Sequence, residues 1–117
     1  MERVRGVGGY FLRAADPEAL GAWYRDCLGL DAAANGLWHQ DAGPTGVSAF
    51  AQDTEYFGSR DQQAMINFRV DDLDSMLAQL RAKGADVAAE TQDHEGIGRF
   101  GWVTDPEGNR IELWQPS

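Results

Sequence analysis

Basic residues are scarce in this chain. Ten Lys and Arg face nineteen Asp and Glu, a formal charge of −9, and Lys83 is the only lysine. Phosphate recognition needs clustered Lys and Arg, so neither nucleic acid nor an anionic membrane surface is expected as a partner. The acidity serves solubility. Cysteine occurs once, as Cys27. One thiol builds no disulfide framework, and on a helical pattern it reads as a small buried group. No uninterrupted apolar stretch approaches the roughly 18–20 residues of a membrane span. The opening Met-Glu-Arg-Val-Arg-Gly leads straight into a strand pattern and holds no signal-peptide core. These absences together favour the cytoplasm. Ser48, Ser59 and Ser75 have no histidine at a motif spacing, so no nucleophile-plus-base constellation is visible.

What is present is a repeat. A chain of 117 residues, 43% apolar and 25% charged, is one globular domain with one core. Within it, residues 10–30 and 66–85 follow one plan: a short apolar strand, an Asp helix cap, a helix of about a dozen residues and a glycine stop. With Asp16 laid on Asp72, Arg13 falls on Arg69, and Gly29 falls one place from Gly84. Two copies of one module are therefore expected.

The first module, about 6–52, opens with a strand over 7–15. Asp16 caps a helix and Pro17 sits in its first turn, where the missing N–H costs nothing. Leu20, Trp23, Tyr24, Cys27 and Leu28 recur at helical spacing. Three strands are expected over 31–34, 37–41 and 47–52, with Asn35-Gly36 as a hairpin turn. Residues 53–63 are polar with little apolar period and read as a linker. The second module, about 64–116, repeats the order: a strand over 65–70, a helix capped by Asp72 with Leu73, Met76, Leu77 and Leu80 inward, and Gly84 as a left-handed stop. Strands over 86–90, 99–104 and 109–115 complete it. Residues 91–98 read as a polar loop, and Asp105-Pro106-Glu107-Gly108 as a turn. The expected fold is α+β: two tandem βαβββ modules forming curved mixed sheets around a cup, helices outside, because neither module buries its apolar face alone.

That order, the segment Asp-Pro-Glu…Trp-Tyr-Arg-Asp-Cys-Leu-Gly-Leu and the ending Asp-Pro-Glu-Gly-Asn-Arg-Ile-Glu-Leu-Trp resemble the vicinal oxygen chelate superfamily. It holds glyoxalase I, bleomycin-resistance proteins and extradiol dioxygenases. The resemblance implies a cup that, in the metal-dependent members, binds a divalent ion through His, Glu or Gln. The positions that usually carry His are Gly9 and Met65 here, and only Glu112 of the ligand set survives. One carboxyl group does not make a divalent site, so no metal or other cofactor is expected. A divalent metal with ligands elsewhere is the alternative. The resemblance also implies a homodimer, which would cover exposed sheet edges.

Strand alternation then assigns the cup. If Gly9 faces it, so do Phe11 and Arg13. The same parity places Met65, Asn67, Arg69, Phe100, Trp102, Glu112 and Trp114 there, with Phe50 and either Trp38 or His39 contributing from the first module. Aromatic walls with a few polar anchors suit a small aromatic or amphipathic organic ligand. Glu112 is expected beside Arg13 or Arg69. His94 and Glu95 lie at the cup mouth, where an acid–base pair would serve proton transfer. Two functions stay open. One is a metal-free binding protein of the bleomycin-resistance kind, which sequesters its ligand. The other is a glyoxalase- or dioxygenase-like enzyme, a lyase or isomerase, using Glu112 with His94 or Glu95.

Overall fold

The computed structural model describes residues 1–117. Its elements are α1 (Pro17–Leu28), β1 (Asn67–Arg69), α2 (Leu73–Ala82), β2 (Asp86–Val87), β3 (Gln92–His94), β4 (Gly98–Thr104) and β5 (Arg110–Pro116). The helix starts obey their caps. Asp16 accepts from the Ala19 N–H at 3.0 Å and Asp72 from the Ser75 N–H at 3.0 Å. The backbone N–H of Ser75, with its side chain, holds the Asp72 carboxyl below its ordinary pKa. Gly29 ends α1 at φ 73°, a left-handed turn that a Cβ disfavours.

One mixed, open sheet runs β1-β5-β4-β2, with β3 also on β4. β1 is parallel to β5 and the other pairs are antiparallel. Both helices cover one face. Leu20, Tyr24, Cys27 and Leu28 of α1 and Leu73, Leu77 and Leu80 of α2 pack with Val103, Ile111 and Leu113. Gly101 lets α2 approach closely, since a Cβ there would lie 3.2 Å from Leu77. The chain is thus α+β with its helices on one side of a mixed sheet, as its pattern suggests.

The turn between β4 and β5 is a clamp on α1. Asp105, 4% exposed, accepts from the Tyr24 hydroxyl at 2.7 Å, the Asn109 side chain at 2.8 Å and the backbone N–H groups of Glu107 and Asn109. Glu107 reaches back to the N–H groups of Ala15 and Asp16. Residues that read locally as turn chemistry also join the two halves of the chain.

Two expectations need correction. The first-module segments 7–15, 31–34, 37–41 and 47–52 form no ladder strands. Residues 1–15 and 38–50 make no backbone–backbone hydrogen bond. The Asn35-Gly36 turn forms, with Gly36 at φ 83° and an Ala33–Leu37 bond of 2.8 Å, but no ladder extends from it. A strand exists only against a neighbour, and this chain alone offers these segments none. Conversely, 92–94 is a strand on β4 rather than a loop. All three of its residues are exposed, so it carries no buried-face alternation.

Candidate functional site

The sheet face away from the helices carries the candidate site. The registers β1↔β5 and β5↔β4 lay out two cross-strand rows: Asn67–Glu112–Trp102 and Arg69–Trp114–Phe100. The alternation read from the sequence holds for β1, β4 and β5, whose other side chains enter the helix-side core.

The first row is polar and closed. Glu112, 9% exposed, accepts from Asn67 Nδ2 at 2.7 Å, from Trp102 Nε1 at 3.1 Å and from the Tyr56 hydroxyl. No ion pair within 4 Å involves Glu112. The expected pairing with Arg13 or Arg69 is therefore corrected. Arg69 instead donates to the Asp41 carbonyl at 2.8 Å, and Arg13 is exposed on the unpaired N-terminal segment. Tyr56 is held by Phe50, stacked at 5.4 Å, and stands edge-on to Trp102 at 6.0 Å. Burial and the neighbouring Glu112 raise the Tyr56 pKa well above its ordinary value. Arg110 lies 5.1 Å over the Trp102 ring and donates to the Tyr56 carbonyl at 3.0 Å. Trp102 is consequently only 3% exposed.

The second row is aromatic and half-open. Phe100 and Trp114 lie parallel, 1° between planes and 6.0 Å between centroids. The Trp114 Nε1–H donates to the Ile97 carbonyl at 3.0 Å, past Gly98 at φ 139°, where a Cβ would collide with the Trp114 indole. His94 stands edge-on to Phe100 at 5.5 Å, and no hydrogen bond joins it to Glu112. Glu95 follows β3 in an exposed turn.

The structure thus gathers Phe50, Asn67, Phe100, Trp102, Glu112 and Trp114. It does not gather Phe11, which is 92% exposed on the N-terminal segment. Trp38 packs edge-on against Phe68, a helix-side residue, and borders a cleft of about 150 Å³ with Leu30, Val70 and Met76. A second, polar cleft of about 310 Å³ lies at the start of α2, among Asp41, Arg69, Asp71 and Ser75. Neither cleft contains Glu112. Tyr56 and Arg110 were missed. Arg110 shares the Glu112 parity on β5, a signal that was available. Tyr56 sits in the polar segment 53–63, where no period marks it.

The divalent ion of the metal-dependent members of the resembled superfamily does not fit this donor set. Three hydrogen-bond donors converge on Glu112, whereas a cation site needs converging acceptors. No three His, Cys, Asp or Glu side chains cluster elsewhere.

Several known proteins are similar to this chain. The antibiotic-binding protein TnmS3 from Streptomyces sp. CB03234 is 23% identical over 100% of both chains, with a TM-score of 0.65. TioX from Micromonospora sp. ML1 is 21% identical over 89% of this chain and 93% of its own, with a TM-score of 0.57. These likenesses show the fold. A conserved domain protein is 18% identical, with a TM-score of 0.42, and aligns over 46% of this chain and about half, 47%, of its own length. No curated protein matches the sequence. The model of the glyoxalase-like domain matches residues 10–114. The chain is a member of the glyoxalase-like domain family.

Proposed function

We propose that this protein binds a flat or amphipathic organic molecule on the aromatic face of its sheet and sequesters it, as a bleomycin-resistance-like protein would. The observation that carries this reading is the parallel Phe100–Trp114 pair set beside a shielded carboxyl group. Aromatic faces next to a few polar groups suit planar ligands. Glu112 fits an anchor better than a general base, since three donors already take three of its about four acceptor directions. The fold is shared with the antibiotic-binding protein TnmS3, and that likeness is in keeping with the same class of function.

The reading includes a homodimer, with a cytoplasmic setting. Only 15 of 117 residues are buried, and the radius of gyration is 14.7 Å, against roughly 13 Å for a compact chain of this length. Phe11, Val7 and Val47 are 92, 63 and 88% exposed on segments whose backbone is unpaired. A second copy would pair those segments and complete the cup around each site.

A tryptophan-fluorescence titration with a planar aromatic probe tests the function. Trp114→Ala should weaken binding by about 2 kcal/mol with the fold retained. Trp102, at 3% exposure, supports the fold as well, so its removal is a poorer test. Unchanged affinity on losing both Trp114 and Phe100 would place the ligand elsewhere.

A further inference from the structure

The Tyr56 side chain has the position a ligand would take. Its ring lies between Phe50, which stacks on it, and Trp102, which meets it edge-on, and its hydroxyl donates to Glu112 at the closed end. The inner wall is fixed: Trp102 is buried on β4 and bonded to Glu112. The outer wall is not. Phe50 is 48% exposed and ends a segment without backbone–backbone hydrogen bonds. Tyr56 itself comes from the segment 53–63, outside every helix and strand.

We infer that Tyr56 is an internal occupant of a hydroxyaromatic site. The ligand's ring takes the slot between Phe50 and Trp102, and its phenolic O–H donates to Glu112 in place of Tyr56. This rests on the reading of the sheet face as a small-molecule site and names the class of molecule it takes. The donor set selects the class. Asn67 and Trp102 fill two of the acceptor directions of Glu112 with N–H groups, and another is filled by a neutral O–H carried on a ring. A ligand ammonium would meet the Arg110 guanidinium, 5.1 Å over the Trp102 ring. A phenolate would meet the carboxyl group of Glu112, which already holds the Tyr56 phenol protonated. Exchange trades one phenol hydrogen bond for another, so a ligand prevails through the additional aromatic area it buries along Phe100 and Trp114.

The probes are 4-ethylphenol and its methyl ether, which differ by the donor proton. Binding is followed at the Trp102 indole N–H by NMR. Tyr56→Ala should bind 4-ethylphenol at least about tenfold more tightly than the unmodified chain does, and about tenfold more tightly than it binds the ether. Adding Glu112→Gln should bring that preference below about threefold. Equal affinity of Tyr56→Ala for phenol and ether would overturn the inference and leave the small-molecule reading intact. Binding of neither probe would overturn both. Tyr56→Leu carries the same expectations should the alanine variant fail to fold. In the unmodified chain, saturating 4-ethylphenol should move the Tyr56 ring carbon signals toward those of an exposed tyrosine. A bound probe with those signals unmoved would also refute the exchange.

Discussion

Replacing Glu112 separates the shape of the polar row from its hydrogen bonds. Glu112→Gln keeps the volume and offers one acceptor oxygen, which can serve Tyr56 and Trp102 together. The new amide N–H₂ then faces Asn67. Asn67 restores the bond by rotating its own amide half a turn, so that its oxygen accepts. The expected cost is about 1 kcal/mol, the net worth of a single hydrogen bond. Glu112→Ala offers no such repair. Tyr56 and the exposed Asn67 can turn to water, but the Trp102 N–H is buried and loses its only partner. A buried orphan costs roughly 1–3 kcal/mol, and the deleted side chain leaves a cavity. The sum is about 3 kcal/mol. Urea unfolding followed by tryptophan fluorescence measures both variants, with unchanged m-values certifying that the shift is one of stability. Glu112→Ala within about 0.5 kcal/mol of the parent, or Gln as costly as Ala, would refute the network as described.

Asp105→Ala should destabilise by about 2–3 kcal/mol, because it orphans the buried Tyr24 hydroxyl and loosens the clamp on α1; the same urea assay reads it. All three tyrosines are raised above their ordinary pKa, Tyr10, Tyr24 and Tyr56 each first through burial. Their contribution is complete below the unfolded value near pH 10 and is lost as pH climbs toward the folded values, since the unfolded chain releases those protons first. Absorbance at 295 nm should therefore show Tyr24 and Tyr56 still protonated in the folded chain at about pH 10, and stability should fall above it. Light scattering at micromolar concentration should give twice the chain mass, and a monomer mass would remove the dimer.

The helices and the last hairpin were legible because their signals are local. Asp16, Pro17 and Gly29 bound α1, Asp72 and Gly84 mark α2 and its stop, and Asp105 to Asn109 spell a turn. The cup face of β1, β4 and β5 followed from alternation once the family resemblance had set which parity faces the cup. The first-module strands were not legible as ladders or as loops. Their alternation is real, with Leu12 and Ala14 against the core and Phe11 and Arg13 away from it. Pairing, however, depends on a neighbour that no local pattern specifies. β3 escaped because a strand exposed on both faces has no hydrophobic period. The partners of Glu112 escaped for a different reason. The Arg13 and Arg69 expectation used face parity, but parity says nothing of how far an edge side chain turns outward, as Arg69 does toward Asp41. Tyr56 reaches Glu112 across 56 positions of sequence, a contact only the folded chain reveals.

The four indole N–H signals of a nitrogen-15-labelled sample decide between the two faces of the molecule. Trp102 and Trp114 lie on the aromatic face, while Trp23 packs at the helix-side core and Trp38 borders the apolar cleft beside Phe68. On titration with 2-naphthol, the aromatic-face account requires the Trp114 and Trp102 signals to move with a common saturation curve while Trp23 and Trp38 stay in place. Movement of Trp38 with Trp114 and Trp102 stationary would contradict it and put the ligand in the helix-side cleft.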